Sequence, residues 1–514
     1  MTPLVDQATL APERISSSGG LLEVDFERIA ENGFGDGLNS YAHSMAWFQD
    51  HLYVGTTRAN LCMVKAVQPP GLDPWPTRCP EDIYDLDRRA QIWRFSPATG
   101  EWRQVYTSPL VARNDGRDVP RDIGYRGMTV FRAAGEAAPA IYTWAWAPAR
   151  AGLGPVMLRC SDGMTFEPVS LSALDASINT YRTLSAFDGR LFTSPTGKTL
   201  GWRGSVHRGM DSVMSGVPVV LESSAPSTDG WTAASSPGFG DPDNATIFDM
   251  AEFNGYLYAG TVNPETGCQV WKTDARGTPP YRWTRVLSHG AHRGKLNEVA
   301  GSFCTFNGAL YVGTGIQQGG YDRSFDIGPA ASELIRVHPD DSWDLIAGTP
   351  RATPQGFKHP LCGMGPGFDN PFNGYFWRIT AHDGWLYVGT YDWSILLKYT
   401  PMRKWPAPIA DAVRRIGVER LIEQEGGFDL WRSRDGERWE PVTRRGFGNP
   451  YNFGVRTLVS TPRGLFIGTA NPFAPEVATR TAAGWEYVDN PRGGLEVFWG
   501  GRGPGPGRDV RAGG

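Results

Sequence analysis

Basic and aromatic residues recur at one register of a repeated sequence, which we aligned on the Leu or Ile of its LYVGT-like stretch. Nine positions before that residue lie His43, Arg182, Phe248, Gly301, Trp377 and Arg456, and Arg126 joins them if one longer turn is allowed. Neighbouring positions add Asp249, Glu298 and Arg378. Arginine is seldom placed in a confined space without a partner. The pattern therefore predicts a site in which guanidinium groups hold negative charge while a carboxylate or tyrosine moves a proton.

Two groups of candidate residues follow, drawn from this register, from the stretches RDIGYRG at 121–127 and GFGNPYN at 446–452, and from the segments after each Gly-Thr. The candidate catalytic residues are Arg126, Arg456, Asp122, Asp249 and Tyr451. The candidate substrate-binding residues are His43, Arg58, Tyr125, Arg182, Glu298, Trp377, Arg378, Tyr391, Asp392 and Asn452. An alternative stays open, in which the acids and arginines form mutual ion pairs that line a wet channel.

A glycine-rich phrase precedes four of the repeats and must help to position these residues. It reads GFGDGLN at 33–39, GFGDPDN at 238–244, GFDNPFN at 367–373 and GFGNPYN at 446–452, always thirteen residues before the LYVGT-like stretch. Glycine permits unusual backbone angles, proline ends strand pairing and Asp or Asn can bond turn amides. We interpret the phrase as a crossover between sheets whose last Asn reaches the end of a central channel. The loops at that rim are the predicted site.

The repeat itself is a strand, a tight turn and a second strand ending in Gly-Thr. Five clear copies and two degenerate ones occur, at 44–56, 248–261, 301–314, 378–390 and 456–469, and at 128–145 and 182–195. Asn-Gly or Asp-Gly pairs at 188–189, 254–255, 307–308 and 383–384 suit two-residue hairpin turns. A third strand and an aromatic-led fourth strand follow most copies.

The predicted fold class is all-β, a seven-bladed β-propeller of four-stranded antiparallel blades with one short inserted helix. The blades span 23–499, with 24–30 closing the last blade as its outer strand, and the segments 1–22 and 500–514 are expected to be disordered. One fourth-strand candidate is surplus, because WEYV at 485–488 also fits the pattern. Insertions lie at 58–90, at 196–237 and at 409–426, where helical spacing of apolar residues predicts one amphipathic helix.

Composition restricts the classes of function. The net charge of -4 gives no basic surface for nucleic acid, and no apolar run approaches the ~18 residues that span a bilayer. The N-terminus lacks a secretory pattern, and the six Cys are far apart, so we expect a cytoplasmic protein without disulfides. Cys62 and Cys79 are the one pair suspected of bridging. His289 and His292 lack a third ligand, so neither a metal nor another cofactor is expected.

The chain resembles a group of bacterial propeller proteins whose blades carry LYVGT and whose last blade carries NPYNFGVRT and LFIGTANPF, as at 449–473 here. It is also similar, more loosely, to the propeller domain of enzymes that alkylate resorcinol rings to form cyclophanes. That resemblance implies a Friedel–Crafts type of site, with an Arg recognising a halide or phenol oxygen and Asp and Tyr deprotonating the phenol. Those enzymes also carry an N-terminal calcium-binding domain, for which we expect no counterpart in this chain.

The leading functional hypothesis is an enzyme, or an enzyme-like binding protein, of specialised metabolism. It would act on a small aromatic or anionic molecule, and we expect a monomer that binds neither nucleic acid nor membrane. The alternative is a non-catalytic propeller that binds a protein or glycan partner, since a fold does not determine its function.

Overall fold

The computed structural model describes residues 19–67, 71–112, 116–148, 153–169, 178, 180–195, 218–228, 230–402 and 407–501. Most of the two ends predicted to be disordered, and residues 196–217 of the second insertion, lie outside the described residues. Leu21 is described and buried, and its backbone N–H donates to the hydroxyl of Tyr387 at 2.7 Å. Leu21 therefore packs within the fold, although the sequence prediction placed it in the disordered segment 1–22.

The chain is mostly β, and its strands pair antiparallel in sets of four that we call units 1 to 7. The strands of each unit are given from the innermost outward. Unit 1 comprises Asn39–Phe48, His51–Arg58, Gln91–Ser96 and Glu101–Thr107, and unit 2 comprises Gly124–Phe131, Ala140–Trp146, Met157–Cys160 and Glu167–Val169. Unit 3 comprises Tyr181–Phe187, Arg190–Pro195, Leu221–Ser223 and Thr232–Ala233, and unit 4 comprises Thr246–Phe253, Tyr256–Val262, Val270–Thr273 and Thr284–Leu287.

Units 5 to 7 follow the same order. Unit 5 comprises Val299–Phe306, Ala309–Gly315, Leu334–Val337 and Trp343–Ala347. Unit 6 comprises Asn373–His382, Trp385–Asp392, Leu430–Ser433 and Glu440–Thr443. Unit 7 comprises Gly454–Thr461, Gly464–Ala470, Val497–Gly500 and Phe26–Ala30. The outermost strand of unit 7 thus comes from the N-terminal end of the chain. The surplus candidate at 485–488 lies in a separate hairpin of Glu476–Thr481 and Gly484–Asp489, so it belongs to no unit.

The innermost strands lie side by side. Each contacts the innermost strand of the next unit, and the innermost strand of unit 7 contacts that of unit 1. Backbone pairing of Tyr41 with Ala470 joins these two units directly. Side chains from the innermost strands of different units can therefore meet.

The glycine-rich crossovers are left-handed turns. Gly33, Phe34 and Gly35 have φ of 59°, 64° and 85°, and the other copies repeat this sign. Glycine tolerates such angles, whereas phenylalanine does so only when packing holds it. The ring of Phe34 lies 4.6 Å from that of Trp93 and 4.7 Å from that of Trp102, the aromatic residues of the third and fourth strands. Each crossover is thereby attached to the unit that it enters.

The last Asn of each crossover is a structural residue. The amide of Asn452 donates to the carbonyl oxygen of Gly446 at 3.1 Å and to Glu496 at 2.5 Å, and its own oxygen accepts from Asn471 at 3.1 Å. Asn39, Asn244 and Asn373 donate to the equivalent glycine carbonyls. The hydrogen-bonding capacity of Asn452 is used within the fold, so its assignment to substrate binding is wrong.

The prediction of one inserted helix at 409–426 is wrong, because the structure has two helices there. Residues 409–426 form parts of two helices, Ala407–Ile416 and Val418–Glu425, separated by Gly417 with φ of 91°. A further helix, Asn60–Val67, lies in the first insertion. Two small hairpins, Leu110–Ala112 with Asp118–Pro120 and Arg351–Thr353 with Gly356–Lys358, lie outside the units.

The first insertion also contains a disulfide, between Cys62 and Cys79. The expectation of a disulfide-free chain is therefore wrong for the one pair that the sequence marked as suspect. Cys160, Cys268, Cys304 and Cys362 are free thiols. No helix within the described ranges has both the length and the apolar character that a bilayer crossing requires.

Candidate functional site

A cavity of about 210 Å³ lies among the innermost strands of six units. It is lined by Phe248 and by six polar residues that the repeat register singled out: His43, Arg126, Arg182, Asp249, Arg378 and Arg456. Each of the six polar residues comes from a different unit, so only the assembled arrangement of strands brings them together.

A β-bulge in each of these strands explains why such residues face inward. The pairing register shifts between Ile247 and Asp249 and between Phe376 and Arg378, and the innermost strands of the other units shift at the equivalent position. Side chains normally alternate between the two faces of a strand, and a bulge re-aims one of them. Phe248 and Asp249 can therefore both line the cavity although they are adjacent in sequence.

The cavity does not open at the crossover rim, where the sequence predicted the site. An aromatic layer that includes Tyr41, Tyr375, Trp377, Tyr391 and Phe453 fills that end, and inserted segments pack on it. The cavity lining instead extends along the innermost strands toward their hairpin turns, where Met128, Leu458 and Val459 contribute. The physical reason is that the insertions bury their apolar side chains over the rim.

Aromatic rings fix the position of three of the four arginines. The guanidinium carbon of Arg182 lies 3.5 Å from the centroid of the Phe248 ring. That of Arg126 lies 4.1 Å from the ring of Trp146, and that of Arg456 lies 5.2 Å from the ring of Trp377. Stacking on a ring leaves the N–H edges of a guanidinium free to bind an oxyanion.

The arginines have few protein partners. Nη1 of both Arg126 and Arg456 is buried without a hydrogen bond to any described residue. Arg378 makes two hydrogen bonds to backbone carbonyl oxygens. Its Nε donates to the carbonyl oxygen of Arg456 at 3.0 Å, and its Nη1 donates to the carbonyl oxygen of Trp377 at 3.0 Å. Buried donors without partners are rare in folded proteins and call for an explanation.

One carboxylate faces the arginines. Oδ1 of Asp249 accepts from the amide of Met250 at 3.0 Å and from the hydroxyl of Thr183 at 3.3 Å, while Oδ2 lies 4.0 Å from Nη1 of Arg378. Burial raises the pKa of Asp249, and the charge of Arg378 opposes that shift. About a quarter of the Asp249 side chain is exposed, so Oδ2 is accessible from the cavity.

His43 is neutral. Burial and the four surrounding arginines lower its pKa well below 6.5. Its Nε2 accepts from Nε of Arg126 at 3.2 Å, so the proton lies on Nδ1, which donates to the hydroxyl of Thr57. Both ring nitrogens are engaged, and the imidazole orients Arg126.

The cavity therefore carries a large excess of positive charge. Arginine stays protonated at neutral pH, so four guanidinium groups face one carboxylate and a neutral imidazole. Burial lowers the pKa of Arg182 to about 10, and burial with mutual repulsion lowers the pKa of Arg456 well below its usual range. These shifts mean that the free protein holds the charges at an energetic disadvantage, which an anion would relieve.

Several predicted site residues lie elsewhere and have structural partners. Arg58 forms an ion pair with Asp36 at 2.6 Å and donates to Asn39 at 3.1 Å. Asp392 is buried and accepts from Ser394 and from Asn370. The second residue after Gly-Thr thus supports the crossover in both units, which corrects the assignment of both residues to the substrate.

The cluster predicted from RDIGYRG is divided between the cavity and the protein interior. Arg126 lines the cavity, but Asp122 is buried beside Arg121 at 2.9 Å, and burial raises its pKa to about 7. Tyr125 is buried against Tyr106, and burial raises its pKa well above 10. The strand alternation that directs Arg126 inward directs Tyr125 into the sheet interface.

The remaining candidates also lie outside the cavity lining. Tyr391 and Trp377 belong to the aromatic layer, where their rings are 5.3 Å apart. Tyr451 packs on Phe473 at 5.4 Å. Glu298 is buried, accepts from the amide of Gln317 at 2.9 Å, and has its pKa raised to about 9, chiefly by burial and further by Asp322.

Sequence reasoning missed the residues that hold the site residues in place. Thr57 and Thr183 orient His43 and Asp249, and Trp146 supports Arg126. Thr57 lies directly after a repeated Gly-Thr, which was the only available signal. Within the described part of the chain, no group of three or more His, Cys, Asp or Glu side chains is placed to hold a metal ion.

Comparisons with known proteins add little. No family model matches the chain, and no curated protein matches it. Similar solved structures include a puromycin-hydrolysing peptidase from Mycobacterium tuberculosis, at 11% identity over 84% of this chain and 58% of that one, with a TM-score of 0.36. An α-L-arabinofuranosidase from Fusarium graminearum has 11% identity over 70% and 89%, with a TM-score of 0.35. Similarities this weak carry no argument about the chemistry of this chain.

Proposed function

We propose that the four-stranded units are the blades of a closed seven-bladed β-propeller whose central cavity binds a small anionic molecule. The observation that carries the proposal is the convergence of Arg126, Arg182, Arg378 and Arg456 on one cavity with a single carboxylate. Buried charge without a counter-charge is costly, so such a cluster is retained where a ligand supplies the missing charge. The circular contacts of the innermost strands support closure.

The size of the cavity supports a small ligand. Its volume of about 210 Å³ lies below the range of roughly 300–1,000 Å³ that holds drug-sized molecules. Four arginines, one aspartate and one histidine contribute to the lining, which distinguishes it from an apolar pocket. A metabolite with oxyanion groups fits this chemistry because planar guanidinium groups bind carboxylate and phosphate with two parallel hydrogen bonds.

Asp249 is the residue in this site that would transfer a proton in an enzymatic reaction. Its Oδ1 is held by two donors and its Oδ2 faces the cavity, whereas both nitrogens of His43 are engaged. Alkylation of a phenol, which the resemblance implied, would need a tyrosine beside this carboxylate. Among the described residues no tyrosine lines the cavity, and Tyr451 packs elsewhere, so our proposal rests on anion binding.

Isothermal titration calorimetry tests the proposal with sulfate, phosphate and succinate at low ionic strength, beside their uncharged counterparts dimethyl sulfone and succinamide. We expect binding of the anions alone, and its loss when Arg126 and Arg182 are both replaced by methionine. Arg285→Met is the matched control, because Arg285 is exposed and stacks on Trp271 at 5.6 Å, away from the cavity. Equal binding of charged and neutral compounds, or unchanged binding by the double variant, would refute it.

A further inference from the structure

The charge balance of the cavity restricts the ligand beyond its sign. Four guanidinium groups face one carboxylate, so the positive charge exceeds the negative by three. His43 cannot reduce this excess, because it is already neutral. A ligand with one negative charge would leave two cations uncompensated in a confined space, whereas three negative charges would balance the site. Opposite charges held at low dielectric interact strongly, so the number of ligand charges should dominate affinity.

The positions of the arginines indicate how those charges are distributed. Arg126, Arg182 and Arg456 each stack on a different ring, and each strand contributes only one of them. Each of the three guanidinium groups is held on its own ring and enters the cavity from its own strand. Separate oxyanion groups on a compact molecule match separate guanidinium edges. The volume of about 210 Å³ limits the spacing of these groups to that of a short carbon chain.

Asp249 adds a second requirement. Its Oδ2 faces the cavity and lies 4.0 Å from Arg378, which is at the limit of an ion pair and leaves lone pairs free. A carboxylate accepts hydrogen bonds and donates none when ionised. It would repel the oxyanion groups of a ligand unless the ligand offers a donor at this point. A hydroxyl group is the smallest group that satisfies both Asp249 and the limited volume.

We infer that the cavity selects a compact hydroxylated polyanion with about three negative charges, held by the arginines and with its hydroxyl bonded to Asp249. This inference rests on the proposed function and specifies its ligand class. A hydroxylated tricarboxylate and a hydroxylated phosphate ester of a short acid share this chemistry. Their common features are several oxyanion groups and one hydroxyl on a short chain.

A series of probes tests the number of charges. Acetate, succinate and tricarballylate carry one, two and three carboxylates without a hydroxyl, and calorimetry at constant ionic strength gives their dissociation constants. We expect each added carboxylate to strengthen binding by roughly tenfold or more, the effect of a hydrogen bond between charged groups. If acetate binds as tightly as tricarballylate, the inference is wrong even though anion binding stands. If no probe binds, both the proposed anion binding and the inference about ligand charge are wrong.

A matched pair tests the hydroxyl. Citrate differs from tricarballylate by one hydroxyl, and we expect it to bind about tenfold more tightly to the unmodified protein. Asp249→Asn keeps an oxygen for Thr183 and Met250 but replaces the free oxygen with a donor and removes the charge. Tricarballylate should then bind more tightly and the preference for citrate should disappear. Persistence of that preference in Asp249→Asn would overturn the assignment.

The same titrations distinguish the two candidate ligand classes, the hydroxylated tricarboxylate and the hydroxylated phosphate ester. 3-Phosphoglycerate carries a phosphate, a carboxylate and a hydroxyl on a three-carbon chain. Binding of citrate at least tenfold tighter than of 3-phosphoglycerate assigns the site to tricarboxylates, and the reverse order assigns it to phosphate esters. Arg285→Met should behave as the unmodified protein with every probe, since Arg285 lies outside the cavity.

Discussion

Replacing Arg456 by methionine should weaken anion binding without weakening the fold. Arg456 is 9% exposed, its Nη1 has no hydrogen-bond partner among the described residues, and its guanidinium lies 5.2 Å from the ring of Trp377. Methionine is of comparable length, packs well against aromatic rings and carries no charge. The substitution therefore removes the unsatisfied charge while keeping most of the contact with Trp377.

The expected magnitudes follow from these contacts. An unsatisfied buried donor costs about 1–3 kcal/mol, and its removal returns that amount to the free protein. Loss of the interaction with Trp377 costs about 0.5–2 kcal/mol. Relief of repulsion from Arg126, Arg182 and Arg378 acts in the stabilising direction. The free energy of unfolding should thus stay unchanged or rise by about 1 kcal/mol. The affinity for a bound oxyanion should fall by roughly 10- to 150-fold, which corresponds to about 1.5–3 kcal/mol.

Two measurements on the same preparations check this prediction. Urea unfolding without ligand gives the stability, and calorimetry with tricarballylate gives the affinity. Arg285→Met controls for the loss of an exposed arginine stacked on a tryptophan, and it should leave the affinity unchanged. The reasoning is refuted if Arg456→Met unfolds more easily by more than about 1 kcal/mol and still binds tricarballylate as the unmodified protein does.

Three further substitutions test other parts of the account. His43→Gln should remove one contribution to the pH dependence of stability, because the folded protein keeps His43 neutral while the unfolded chain protonates it below about pH 6.5. This group costs the unmodified protein about 1.4 kcal/mol of unfolding free energy between pH 7.5 and 5.5. If urea unfolding shows the same loss in the variant, the assignment of a neutral His43 is contradicted. Asn452→Ala should lower the free energy of unfolding by about 1–3 kcal/mol with tricarballylate affinity intact, because Asn452 bonds Gly446 and Glu496; lost affinity would return it to the site. Replacing Cys62 and Cys79 by serine should lower stability by about 3 kcal/mol, the entropy of a loop with a sequence separation of 17, and unchanged urea midpoints would show that the bridge does not form.

The residues that line the cavity could be predicted because the repeat sets their register. The Leu or Ile of each second strand gives a common reference position, so one alignment places His43, Arg182 and Arg456 at equivalent positions. Asp249 and Arg378 lie next to that position, and strict alternation would have directed them to the other face. The bulges bring them to the cavity, and no residue type in the sequence marks a bulge.

The sequence could not predict which end of the channel is closed. It depends on long-range packing between segments far apart in sequence, such as Leu61, Ile395 and Phe473, which cover the aromatic layer together. Residues near the crossovers, among them Arg58, Asp392 and Asn452, therefore act within the fold. The break between the two inserted helices depends on the left-handed angle of Gly417, and glycine inside an amphipathic pattern does not by itself indicate a break.

Anomalous diffraction from crystals soaked in selenate tests the central claim most directly. Selenate is an oxyanion whose selenium can be located independently of the protein, and the account predicts its strongest site inside the cavity, within hydrogen-bond distance of at least two of Arg126, Arg182, Arg378 and Arg456. Selenium bound only on the outer surface, with these four side chains paired to other protein groups or turned away from the cavity, would contradict it.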